Sequence, residues 1–222
     1  MSERREAGRL PMPPTFSAAI FDFDGTIART EGIWAEVDRI FFAQRGIEYT
    51  PDIGQKLSAL GFAGGAYWVK ERYGVKDRVE DICDEWNRLG AALYETKAQL
   101  KPGAENYLKQ LRELGVPLAL ATTNDPDVLA RMKPRVDVDA LFDAVVYGKE
   151  VDRGKDHPDI YLEAASRIGV EPCGTMVFED ILTGVKSAKR AGFLACAVRS
   201  EDAHQPWDAL AAEADFSIES WD

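Results

Sequence analysis

The chain is poor in cysteine, has no long apolar run and carries too few basic residues for its acid content. Its three cysteines, Cys83, Cys173 and Cys196, are scattered and odd in number, and none lies in a Cys-x-x-Cys pair. That argues against a disulfide framework and fits free thiols in a reducing compartment. No stretch approaches the ~18 consecutive apolar residues of a membrane span. The first residues, MSERREAGRLPMPP, carry charge with no apolar run behind them, which does not read as a secretory signal. A cytoplasmic protein with no membrane partner is therefore expected. Lysine and arginine number 27 against 38 acidic residues, a formal net charge of -11. Phosphate-backbone binding needs a basic footprint, so nucleic acid is excluded as the main partner. Internal repeats and low-complexity segments are absent as well.

What is present is ordinary globular material. With 45% hydrophobic residues the chain is not disordered, and 222 residues suit one full domain with a sizeable insertion. Residues 1–14 read as a flexible lead-in stopped by Pro11, Pro13 and Pro14. From Phe16 to Phe23 a mostly apolar run ends in aspartates, consistent with a buried strand, and Asp24-Gly25-Thr26 follows as a turn. Residues 31–45 switch to helical spacing, with Ile33, Trp34, Val37, Ile40 and Phe41 on one face. Residues 50–98 read as further helical segments, broken at Pro51, at the glycines 61, 64 and 65 and at Gly74. Beyond them helices and apolar strands alternate. Pro102 opens a helix that Gly115 ends, and Val116–Ala121 is a strand tipped by Thr122-Thr123-Asn124. Ala144–Tyr147 is a strand, Pro158 opens a helix, and Thr175–Phe178 is a strand ending in Glu179-Asp180. Leu194–Val198 and Phe216–Ile218 complete the set. Such alternation predicts an α/β fold, a Rossmann-like parallel sheet covered on both faces. The expected organisation is a core of residues 15–30 and 99–222 with an inserted helical cap at 31–98.

In such sheets ligands bind outside the carboxyl ends of the strands. The predicted tips are Asp22-x-Asp24, Thr122 and Glu179-Asp180, with Lys155 on a loop between the last two groups. Four converging carboxylates repel one another, and a divalent cation is the physical remedy. An all-oxygen set suits Mg²⁺, which keeps several waters and bridges to phosphate. One carboxylate can then attack phosphorus, forming an aspartyl-phosphate, while the other moves the proton of the leaving group. Thr122 and Lys155 would hold the non-bridging oxygens. The metal, Lys155 and the backbone amides of the first loop would draw in an anionic substrate.

These residues resemble a known family. Asp22-Phe23-Asp24-Gly25-Thr26, then Leu118–Thr122, then Gly154-Lys155-x-x-Pro158-Asp159-Ile160-Tyr161-Leu162, then Phe178-Glu179-Asp180 with Gly184-Val185 and Ala191-Gly192, look like the four motifs of the haloacid dehalogenase superfamily. The branch resembled is the one with a helical cap after the first strand, and the likeness covers nearly the whole chain from residue 16. It implies a Mg²⁺-dependent phosphatase of a small phosphorylated metabolite, such as a sugar phosphate. By position Asp22 matches the nucleophile and a metal ligand. Asp24 matches the general acid/base, whose carbonyl also ligates the metal. Thr122 matches the phosphate-binding hydroxyl, and Lys155 the lysine that steadies nucleophile and phosphate. Asp180 matches the direct Mg²⁺ ligand, with Glu179 assisting. Gly25, Thr123 and Asn124 are placed beside the phosphate or the leaving group. Monomers are common among such enzymes.

Two departures stand out. Asp156 and His157 lie between Lys155 and Pro158, where an extra carboxylate can tilt the lysine, and Lys149 is an alternative. Ile181 replaces a serine that often follows the acidic pair. The alternative activity is that of a phosphosugar mutase of the β-phosphoglucomutase type. That branch usually carries a histidine early in the cap, and none occurs between residues 31 and 98.

Other residues have plainer readings. His157 and His204 read as exposed. Trp34, Trp68 and Trp86 read as core of the helical bundle rather than substrate stackers. Arg45, Lys56, Lys70 and Arg72 are solvated charges unless they meet a substrate anion. Gly61-Phe62-Ala63-Gly64-Gly65 reads as a bend between cap helices, resembling the family's substrate-specificity loop.

Overall fold

Short strands that alternate between two hydrophobic cores organise the molecule. The computed structural model describes residues 12–30, 32–201 and 205–222. Most of the expected lead-in, and His204, lie outside these residues. Six strands form one parallel sheet: β1 (Ala18–Phe21), β4 (Leu118–Thr122), β5 (Ala144–Tyr147), β6 (Thr175–Glu179), β7 (Leu194–Val198) and β8 (Phe216–Ile218). Their order across the sheet is β5-β4-β1-β6-β7-β8. Successive side chains on a strand point to opposite faces. Ala19, Phe21, Leu118, Leu120 and Phe178 accordingly enter one core, with Tyr107, Leu108 and Leu111. Ile20, Ala119, Ala121 and Val177 enter the other, with Ile160, Tyr161 and Ala164. Both faces are covered, which is why the strands read as continuous apolar runs rather than alternating ones. Phe21 and Phe178 stack with ring centroids 4.5 Å apart.

The covering helices are α4 (Ala104–Glu113), α6 (Asp159–Arg167), α7 (Leu182–Arg190) and α8 (Trp207–Glu213), with a short α5 (Pro126–Ala130) after β4. The sequence pattern gave no sign of α5 or α8. Each has seven residues or fewer, too few for a helical period to stand out.

Three helices lie between the first and second sheet strands: α1 (Ile33–Gln44), α2 (Pro51–Tyr73) and α3 (Val79–Thr96). They share a separate core that includes Val37, Phe41, Phe42, Leu57, Val69, Ile82 and Trp86. The chain leaves and re-enters the α/β layer through a small antiparallel ribbon, where β2 (Ala28–Arg29) pairs with β3 (Gln99–Leu100). Arg135 ties the insertion down by donating to the carbonyls of Ala98 and Tyr94 at the end of α3. No helix among the described residues is long and apolar enough to cross a membrane.

One expectation fails here. The glycines at 61, 64 and 65 do not break the helix: α2 runs unbroken for 23 residues and ends at Gly74, whose φ is 67°. A glycine inside a helix costs about 1 kcal/mol against alanine, and at Gly65 packing explains its presence. A Cβ there would lie 3.1 Å from Leu57 Cδ2 and 3.6 Å from Trp86 Cη2. The glycine lets α2 approach Trp86 of α3 closely. The 61–65 segment is therefore helix interior, not a bend between helices, although Phe62 still reaches the cavity described below.

Candidate active site

β1 occupies the position where the strand order reverses, and its carboxyl end opens into a crevice. Phe21 pairs with Leu120 on one side and Phe178 on the other. Asp22 thus leaves the sheet between the tips of β4 and β6, and its N–H donates to the Phe178 carbonyl at 3.0 Å. Lys155 donates to one oxygen of Asp22 and, at 2.5 Å, to Oε1 of Glu179. Glu179 is saturated. It also accepts from the Tyr161 hydroxyl at 2.7 Å and, through Oε2, from the amides of Asp180 and Ile181. The Lys155 backbone is held in turn by the Ser187 hydroxyl, 2.6 Å from its carbonyl.

Asp22, Glu179 and Asp180 are all buried, and each offers a carboxylate oxygen within 4.8 Å of the others. Burial, reinforced by Asp22 and Glu179, raises the Asp180 pKa well above the usual range. Burial also raises Glu179, against the pull of Lys155. Burial opposes the charge on Lys155, but Asp22 and Glu179 outweigh it and its pKa rises. With Asp24, four carboxylates face one ammonium. One ammonium leaves the cluster short of positive charge, and its candidate ligand atoms are all hard oxygens, so it fits a small divalent cation.

Asp24 sits two residues on, in the turn above. Its carboxylate accepts from the Tyr94 hydroxyl and from Nδ2 of Asn124. Burial, and secondarily the charge of Asp22, push its pKa up to about 6. Asn124 is held in place by the turn at the end of β4, where its N–H donates to Thr122 Oγ1 at 3.1 Å. Thr122 is fully buried, and Thr123 is exposed on the wall of the crevice. Gly25 plays a steric part: a Cβ at its φ of 73° would lie 2.1 Å from Asp180 Oδ2. Its N–H donates to the Ala28 carbonyl at 3.0 Å. Lys101 donates to the Gly25 carbonyl and, at 2.8 Å, to that of Arg199, fixing the turn from beneath.

The structure thus brings Asp22, Asp24, Gly25, Thr122, Asn124, Lys155, Glu179 and Asp180 together. Lys149 is elsewhere, paired with Asp125 at 3.0 Å. The extra carboxylate of Asp156 is exposed and lies 3.7 Å from His157, so it leaves Lys155 undisturbed. Tyr94, Lys101 and Tyr161 were not anticipated as site residues. Tyr161 had a signal, since a tyrosine on an inward helix face needs a polar partner. Tyr94 and Lys101 had none.

Above the turn a cleft of about 510 Å³ opens toward the insertion. Its floor includes Asp24, Thr123, Asn124 and Asp180, and its far walls include Trp34, Leu57, Phe62 and Trp86. Trp34 and Trp86 are therefore both bundle core and cavity wall, whereas Trp68 packs edge-on against Tyr73.

The acidic crevice lies at the switch point of a parallel sheet, where such folds place their ligands. The chain belongs to the haloacid dehalogenase-like hydrolases, whose family model matches residues 16–192. It is 32% identical over 176 residues to a phosphorylated carbohydrates phosphatase of Thermotoga maritima, covering 79% of this chain and 81% of that one. It is 31% identical over 213 residues to a probable pseudouridine-5'-phosphatase of Drosophila melanogaster, covering 91% and 92%. Among solved structures, CbbY from Rhodobacter sphaeroides in complex with phosphate shares the fold. Its TM-score is 0.81 at 24% identity, over 93% of this chain and 95% of that one.

Proposed function

We propose that the protein is a Mg²⁺-dependent phosphatase that hydrolyses a small phosphorylated metabolite, a sugar phosphate or similar, through an aspartyl-phosphate on Asp22. The observation that carries this reading is the Asp22–Lys155–Glu179 contact beside Asp180, with a raised-pKa Asp24 two residues away. Asp22 and Asp180, with the Asp24 carbonyl, would hold the cation, and Glu179 serves chiefly by orienting Lys155. The cation, when bound, offsets the charge of the phosphoryl group and of the surrounding carboxylates.

A free oxygen of Asp22 attacks phosphorus, and the P–O bond to the substrate breaks. Asp24, protonated at mildly acid pH because burial raises it, gives its proton to the leaving oxygen. Its carboxylate then takes a proton from water as that water attacks the aspartyl-phosphate, releasing phosphate and restoring both aspartates. Thr122, Thr123 and Lys155 steady the phosphoryl oxygens. The three-helix insertion acts as a cap that shields the first transfer from water. The mutase alternative has less support, because no histidine lies in the insertion to serve a returning sugar.

Turnover of an aryl phosphate tests the reading. Asp22→Asn should lower kcat by at least about 10³-fold, and a chelator should abolish wild-type activity until Mg²⁺ is restored. Full activity in either case overturns the assignment.

A further inference from the structure

The cleft contains an acid that the chemistry does not use. Asp38, on α1, lines the cleft together with Trp34, Trp86 and Asn87. It makes no hydrogen bond or ion pair with a described residue, although burial raises its pKa to about 7, with Arg39 next to it lowering it in part. The Trp86 Nε1–H is likewise buried without a partner. No lysine or arginine is among the described residues that line the cleft. Several of the insertion's cations have partners: Arg39 donates to Glu36 at 2.9 Å and lies over the Tyr49 ring, Arg45 is bound to Glu85 and Asp77, and Lys70 to the carbonyls of Lys76 and Asp77. Arg72 lies over the Tyr73 ring.

An unpaired acceptor in a cleft that two indole rings also line suits a polyhydroxylated group. Its C–H faces pack on the aromatic rings and its hydroxyls donate to the carboxylate. A second phosphate or a carboxylate at this end would meet a like charge that Arg39, itself paired with Glu36, offsets only in part. We propose that Asp38 is the specificity-determining residue of the cleft: it accepts from hydroxyl groups at the end of the substrate remote from the phosphate, and it excludes substrates with an anion there. The inference rests on the phosphatase reading and narrows it to monophosphates of polyols or sugars.

Steady-state kinetics with Mg²⁺ on glucitol 6-phosphate, fructose 1,6-bisphosphate and p-nitrophenyl phosphate test it. The wild type should prefer the hexitol monophosphate to the bisphosphate by at least ten-fold in kcat/KM. Asp38→Ala should lower the hexitol-to-aryl ratio of kcat/KM at least ten-fold, mainly through KM. Asp38→Asn keeps an acceptor and should recover part of that ratio. Asp38→Lys should shift preference toward the bisphosphate, a gain that misfolding cannot produce. A wild type that favours the bisphosphate, or variants that change all three substrates in equal proportion, overturns the role of Asp38 while leaving a phosphatase. No turnover of any substrate, the aryl phosphate included, overturns both.

Discussion

The strand tips and the helical insertion face each other across one cleft, yet they treat polar groups in opposite ways. At the tips nearly every polar atom has a partner. Glu179 accepts four hydrogen bonds, Lys155 bridges two carboxylates, and Asp24 is held by Tyr94 and Asn124. Across the cleft, Asp38 and Trp86 Nε1 are left without partners among indole and phenyl rings. A saturated, low-dielectric network is pre-organised for one reaction. An unsaturated wall waits for a ligand to complete it. If, as proposed, reaction and selection reside in these separate elements, each should be alterable without the other.

The most severe test of that division is Lys155→Met. It removes the one ammonium from a buried cluster of carboxylates, and breaking such a pair costs about 3–5 kcal/mol. Both stability and turnover of every substrate should collapse together, checked by chemical denaturation and by aryl phosphate hydrolysis. Lost turnover with intact stability would mean that the network is not the scaffold described here.

A milder test is Tyr94→Phe, because Tyr94 belongs to the insertion but bonds a residue of the tips. Losing that donor, about 1.5 kcal/mol for a bond to a charged group, should raise the Asp24 pKa above about 6 by roughly one unit. Asp24 must be protonated to serve the leaving group, so the alkaline limb of the kcat profile should move to higher pH. An unmoved limb would break this link between the two regions.

The smallest expected effect is on stability. The Asp38 pKa, about 7 in the folded chain, lies above the ~3.9 of an unfolded aspartate. The folded state therefore binds this proton more tightly, and ionisation destabilises the fold. That penalty is absent below about pH 4, grows through the window to about pH 7 and is complete above it. Asp38→Asn should match the wild type near pH 4 but melt higher at pH 8. Screening at this partly exposed position leaves about 1 kcal/mol, or about 2–4 °C. An equal Tm at pH 8 would show that the wall bears no cost for holding its acid ready.

The α/β core was legible because its signals are local and repeated. Apolar runs of four or five residues, each ending in polar groups and each followed by helical spacing, mark strands and tips without any contact map. Asp22, Asp24, Lys155 and Asp180 stood out because each sits where such a run stops or a helix begins. The insertion was less legible. Three glycines in five residues read as a bend, but Gly65 answers to Trp86, 21 residues further along, and local propensity gave way to packing. The ribbon of Ala28–Arg29 with Gln99–Leu100 escaped notice because two-residue strands have no period to detect. Tyr94 escaped because its partner Asp24 is 70 residues away.

The sequence by itself determined the class of fold, the strand ends that meet at one crevice and the acidic residues that gather there. Those follow from periodicity and from where polar residues interrupt it, which are properties of neighbours in the chain. Tertiary structure alone decided which hydrogen bonds saturate Glu179, which tyrosine holds Asp24, and that Asp38 lines the cleft with no hydrogen-bond partner among the described residues. Those depend on how a three-helix insertion settles over six strand ends, and on desolvation there, which raises Asp24 and Asp38 alike.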